Sequence, residues 1–154
     1  PDAKNKFQKK YPIAKNAIQL QQGTVMDLYP TILSVAGVKA KKHYPLDGSD
    51  LKKLLQGKAD KKHRDDFLMH FPHGEHRANY FTTYRKGDWK LIYYYNPDTT
   101  GEPSWKLYNL KDDPYETTDL SENNPEMVAS MIELMKERLT EEKALYPINK
   151  DKGI

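Results

Sequence analysis

Between residues 80 and 110 apolar and polar positions alternate with the period of two expected of strands. Tyr80 to Arg85 is rich in Tyr, Phe and Thr, a strand composition. Lys86-Gly87-Asp88 supplies a tight turn, with a glycine able to take positive φ. Trp89 to Tyr95 follows, with Trp89, Leu91, Tyr93 and Tyr95 on one face and Lys90, Ile92 and Tyr94 on the other. Residues 96–104 hold Asn96-Pro97 and Gly101-Glu102-Pro103, the composition of a longer hairpin loop. Trp105 to Leu110 is the last strand, and the apolar run Phe67 to Phe71 precedes the others. Such sequential spacing predicts an antiparallel meander.

After residue 120 the period changes to that of a helix. Met127, Val128, Met131, Met135 and Leu139 form a stripe, widened by Ile132 and Leu134, that suits the cover of one sheet face. Asn124 reads as its N-cap and Pro125 as its first residue, with an end near Leu145, before Pro147. Upstream, Asp27 to Ala36 reads as a short helix capped by Asp27 and stopped by Gly37. Leu28, Ile32, Val35 and Ala36 share one face of it, widened by Tyr29 and Leu33. Leu51 to Gln56 reads as a second short helix, capped by Ser49 or Asp50 and ended by Gly57. Residues 1–22, basic and weakly patterned, read as a solvated arm, and 39–60 as a linker. The expected fold class is α+β: an antiparallel sheet of about four strands, packed by a long C-terminal helix and preceded by a short helical segment and linker. The expected division is 1–60 and 61–154.

The chain of 154 residues is long enough for one sizeable core. It is polar, 37% hydrophobic and 31% charged, but 2 Trp, 11 Tyr and 4 Phe argue for an ordered interior. With no cysteine, disulfides, zinc-thiolate sites and cysteine nucleophiles are excluded. A net charge of +3 is too small to argue for nucleic acid, and no apolar run approaches the roughly 20 residues of a membrane-spanning helix. The start at Pro1, with no signal-peptide pattern, suggests a fragment or a processed chain.

The chemistry-bearing cluster is His70-Phe71-Pro72-His73-Gly74-Glu75-His76-Arg77. Pro72 and Gly74 disfavour a helix, so the three histidines need not converge on a metal. Three readings stay open: solvated loop histidines, ligand-contacting histidines at a strand end, and a zinc site. The second has physical content, because imidazole donors and the planar fork of Arg77 suit a sulfate or carboxylate. The neighbouring pairs Asp65-Asp66 and Asp112-Asp113 cannot both face one site from a strand, and Asp112-Asp113-Pro114 reads as an Asx-type turn. Lys41-Lys42-His43 and Lys61-Lys62-His63-Arg64 read as solvated basic runs.

Several segments, in order, resemble the C-terminal part of type I, formylglycine-dependent sulfatases of the alkaline-phosphatase-like superfamily. They are Asp27-Leu28-Tyr29-Pro30-Thr31-Ile32-Leu33 with Ala36-Gly37, Leu46-Asp47-Gly48-Ser49-Asp50-Leu51, and His70-Phe71-Pro72-His73. Arg85-Lys86-Gly87-Asp88-Trp89-Lys90-Leu91-Ile92 is similar to the family's C-terminal hairpin, and Leu107-Tyr108-Asn109-Leu110 with residues 112–120 to the strand and loop before its last helix. The resemblance implies sulfuric ester hydrolysis by a formylglycine hydrate beside a calcium ion, and the family's calcium-holding carboxylates and catalytic lysine and histidine, which belong to its N-terminal part, have no counterpart in this chain. Formylglycine arises from Cys or Ser in Cys/Ser-x-Pro/Ala-x-Arg, and no serine of this chain starts that motif.

On this resemblance residues 1–60 are the tail end of the catalytic domain plus linker, and 61–154 the C-terminal subdomain. Its partners would be the N-terminal catalytic domain and a sulfated carbohydrate, with no nucleic acid and no membrane, in a periplasmic or secreted protein. The chain alone would be inactive. His70 and His73 match a motif at the rim of the substrate pocket, and Arg77 joins them by charge and proximity. The exposed 27–36 helix could also self-associate. The alternative is a stand-alone anionic-glycan-binding or interaction module, which requires Tyr93 to Tyr95 and Trp105 to be largely exposed. A related phosphatase-superfamily enzyme of the same shape is a third reading.

Overall fold

A computed structural model describes residues 9–72, 80–95 and 104–146. The chain divides into two units, Pro1–Asp65 and Asp66–Ile154.

The first unit contains two short helices, α1 (Leu28–Ala36), entered through a single 3-10 turn at Val25–Asp27, and α2 (Lys52–Leu55). Both end as the glycines predict. Gly37 (φ 71°) donates its amide to Ser34 O while Val38 reaches Leu33 O, and Gly57 (φ 73°) with Lys58 repeats the pattern on Leu54 and Lys53. These are Schellman caps, which need a left-handed residue that glycine adopts without strain. Asp27 precedes α1 but does not cap it with its side chain, and the carboxylate turns elsewhere.

Residues 9–22 are not the solvated arm that their charge suggests. Tyr11 is buried and donates its hydroxyl to Asp50 Oδ1 at 2.8 Å. Ala14 donates its amide to Leu55 O. The side-chain amides of Gln19, Gln21 and Gln22 reach the carbonyls of Lys58, Asp60 and Asp65. Polar side chains thus hold this stretch to 55–65, a pairing that no local pattern announces.

The second unit is a four-stranded antiparallel meander in the order β1 (Asp66–Phe71), β2 (Phe81–Lys86), β3 (Trp89–Tyr94) and β4 (Trp105–Asn109). The register aligns Leu68, Tyr84, Leu91 and Leu107 in one cross-strand row. That row packs on Met131, Met135 and Leu139 of α3 (Pro125–Glu141), whose stripe is the core face expected. Tyr84, Leu91 and Leu107 are essentially inaccessible, so burial of these rings and branched chains is the main stabilising term of the unit. The fold class is α+β, as the periodicities indicate. No helix among the described residues is long and apolar enough to cross a membrane.

Two helix-end expectations need correction. Asn124 precedes α3, but its side-chain amide donates to Leu120 O rather than capping the helix. The helix stops at Glu141, short of Leu145, because Lys143 takes a left-handed conformation (φ 52°). Lys143 donates to Thr140 O and Ala144 to Leu139 O, a third Schellman cap built without glycine.

The loop after β4 is organised by acidic side chains. Asp113 accepts from the Thr118 amide at 2.9 Å and the Thr117 hydroxyl at 3.1 Å. The hydrogen bond from the Thr118 amide, above all, holds its pKa below the ordinary carboxylate value, despite an opposing desolvation effect. Asp119 accepts the Leu107 amide while Leu120 donates to Leu107 O, so the loop satisfies part of the β4 edge.

Candidate functional site

The site grows from the last full row on the α3 side of the sheet, His70, Thr82, Tyr93 and Trp105. Alternation puts these four side chains on the face of Leu68 and Leu91, one step towards the end where β1 leaves for residue 72. Tyr93 packs its ring on Trp105 at 4.3 Å between centroids and on Tyr95 at 4.8 Å. Tyr93 and Trp105 also lean on the hydrophobic core. None of Tyr93, Tyr94, Tyr95 and Trp105 is largely exposed, so the stand-alone glycan module loses the feature it required.

His70 is held at both nitrogens. Nδ1 lies 2.7 Å from Thr82 Oγ1 and Nε2 lies 2.7 Å from the Leu145 carbonyl. The carbonyl can only accept, so Nε2 carries a hydrogen. In the neutral ring Nδ1 then accepts from Thr82, whose oxygen, wholly buried, receives the Tyr95 hydroxyl at 2.8 Å. Burial pushes the Tyr95 phenol up, with a smaller opposing pull from Thr82, so it keeps the proton it donates. Tyr146 completes the cluster, edge-on to His70 at 5.9 Å and to Tyr95 at 6.4 Å.

His73 and Arg77, the other two residues expected to bind substrate, lie outside the described residues, as does His76. Among the described residues no group of three or more His, Asp or Glu side chains comes together as a metal site.

A second polar cluster sits inside the first unit. Asp27 is 5% exposed, and its carboxylate accepts from the Thr24 amide (2.7 Å), the Thr24 hydroxyl (3.2 Å) and the Ser49 amide (2.8 Å). Ser49 Oγ lies 2.7 Å from His63 Nδ1, and His63 Nε2 lies 2.5 Å from Gln22 O. Burial pushes the Asp27 carboxyl up, but the hydrogen bonds from Ser49 and Thr24 and the charge of His63 together outweigh it and hold the pKa below the ordinary value. His63 is therefore a tie between three segments rather than part of a solvated basic run. Its partner Ser49 is 14 residues away, so only a pairing of 22–27 with 47–50 could have revealed it. The same unit holds an open cleft of about 540 Å³, lined by Tyr29, Leu33, Val38, Tyr44 and Leu46 with Lys39 and Lys41.

A family model described as "N-sulphoglucosamine sulphohydrolase, C-terminal" matches residues 4–144. The chain belongs to this sulfatase family. A sulfatase of Formosa agariphila is 31% identical over 128 residues, covering 75% of this chain and 22% of that protein. An uncharacterized sulfatase of Schizosaccharomyces pombe is 32% identical over 120 residues, covering 71% of this chain and 20% of its own length. Among solved structures, a protein in complex with its substrate D-glucosamine-2-N,6-O-disulfate superposes with a TM-score of 0.62 at 26% identity. The superposition covers 80% of this chain and 25% of that one. This sulfatase region thus corresponds to about a fifth of the curated relatives it matches.

Proposed function

We propose that this chain completes the substrate pocket of a sulfuric ester hydrolase acting on sulfated sugars, with hydrolysis carried out by residues outside it. The family match over residues 4–144 carries this reading. The neighbour solved with a disulfated glucosamine supports a sulfated sugar as the substrate class. In this reading residues 1–60 belong to the tail of the catalytic domain and its linker, and 61–154 to the subdomain that closes over the sugar. The sheet end marked by His70 forms the pocket rim. His73 and Arg77 follow it directly in sequence and offer an imidazole donor and a bidentate guanidinium to the sugar or its sulfate. Calcium and formylglycine, which the family implies, would be held by the N-terminal part.

The test is sulfate release from sulfated glucosamines by the full-length protein and by the isolated 154-residue chain. Turnover by the full-length protein alone is expected, with Arg77→Ala raising KM at least tenfold. Turnover by the isolated chain, or an unchanged KM in the Arg77→Ala and His73→Ala proteins, would contradict the proposal.

A further inference from the structure

The segment after α3 is fixed in an unusual way. Leu145 is 81% exposed, so burial of its side chain does not hold it. Its carbonyl is instead gripped by His70 Nε2, 75 residues earlier in the chain. The left-handed Lys143 turns residues 144–146 back towards the sheet, and the grip on Leu145 sets where Tyr146 falls. Tyr146 stands edge-on to both His70 and Tyr95 yet is 56% exposed. An aromatic side chain that is oriented by two ring neighbours and still half open presents a rigid apolar surface at low entropic cost. The hydroxyl chain from Tyr95 through Thr82 to His70 Nδ1 keeps the imidazole in the tautomer that donates to Leu145.

We propose that His70 is a positioning residue that clamps the Leu145 carbonyl and so stands the Tyr146 ring at the sheet end, where it stacks on a sugar ring of the substrate. This deepens the function proposed above and rests on it. His70 then acts on substrate through Tyr146, and Tyr146 is a specificity-determining contact for the pyranose rather than for its sulfate.

The experiment uses the full-length protein, with sulfated glucosamine as substrate and amide hydrogen exchange at residues 144–146 as a second readout. An Asn at position 70 reaches only where Nδ1 stood, whereas a Gln amide extends to where Nε2 stood. His70→Asn and Tyr146→Ala are each expected to raise KM about five- to tenfold with kcat little changed. The double variant should be no worse than either single one, and His70→Gln should recover most of the loss. Exchange at 144–146 should quicken in His70→Asn and return in His70→Gln. Multiplicative effects in the double variant would show that His70 meets substrate by itself and overturn the proposal, as would an unchanged KM in Tyr146→Ala. Wild-type exchange in His70→Asn would remove the clamp. If the wild-type protein turns over no sulfated sugar, the function above and the stacking role of Tyr146 fall together, while exchange still decides the clamp. Should His70→Asn fail to fold, Tyr146→Ala, a change at an exposed ring, still decides the stacking.

Discussion

Replacing Gly48 by alanine should unfasten the first unit. A Cβ at this position would overlap the Met26 carbonyl and stand 2.6 Å from the Asp27 amide nitrogen. All of these atoms are backbone, so no side chain can swing aside, and the 47–50 loop must withdraw by roughly 1 Å to restore contact distance. That withdrawal takes the Ser49 amide, now 2.8 Å from Asp27 Oδ1, out of hydrogen-bond range. It also strains the 2.9 Å bond from the Leu51 amide to Thr31 Oγ1. Losing a charge-assisted bond to a buried carboxylate costs about 1.5–3 kcal/mol and the neutral bond about 1 kcal/mol. Residual overpacking adds about 1 kcal/mol, for a total of about 3.5–5 kcal/mol. Amide hydrogen exchange at Ser49, Leu51 and Thr31 should then quicken by about two and a half to three and a half orders of magnitude, since each 1.4 kcal/mol is about a factor of ten. Gly23→Ala is the internal control, because its Cβ would meet only the Leu51 methyls at 3.7 and 3.8 Å. Wild-type protection in Gly48→Ala, or equal loss in Gly23→Ala, would refute the reasoning.

Three further outcomes are expected. The depressed pKa of Asp27 means that the unfolded chain binds the proton first, so the stability this group confers is present above the ordinary carboxylate value near 4 and lost as pH falls through the lower folded value. Protection at Ser49 should drop on that acid side, and protection that rises as pH falls below about 4 would contradict the sign. Arg138→Met should destabilise the second unit by about 2–3 kcal/mol in urea unfolding. It removes the positive charge beside the Asp66 carboxylate, 3.4 Å from Arg138 Nε and 3.1 Å from the Tyr84 hydroxyl, in a site where both charged side chains are little exposed. Asp66→Asn should cost less, because Arg138 keeps Glu141 and Glu142, and the reverse order would refute this. Lys143→Gly relieves a left-handed lysine and should raise stability by a few tenths to about 1 kcal/mol, a gain that a lower Tm would contradict.

The sheet and its covering helix were legible because their signals are local. Trp89, Leu91 and Tyr93 alternate against Lys90 and Ile92, and the register turns that alternation directly into two faces. Gly37 and Gly57 stop their helices where the sequence places them, since a left-handed cap favours glycine. Lys143 performs the same task without the glycine, and for that reason the helix reads four residues too long. Asp27 and Asn124 both carry an N-cap side chain, yet each spends it on a partner that the periodicity does not see: Ser49, 22 residues away, and the Leu120 carbonyl. The site shows the same limit. His70 is marked by its motif, but Thr82, Tyr95, Leu145 and Tyr146 enter only when β1, β2, the end of β3 and the chain after α3 meet in space.

The fastening of the first unit has a calorimetric consequence. Among its described residues only Tyr11 and Leu54 are buried hydrophobics, beside a buried Asp27 and Thr31. Its fully buried side chains are thus as often polar as apolar, and hydration of polar surface lowers heat capacity where apolar surface raises it. Its unfolding should therefore carry a small heat-capacity increment and a weak denaturant dependence. A melting curve or urea titration of the whole chain will be dominated by the Met131–Leu91 core, and loss of the Asp27 cluster will pass almost unseen in it.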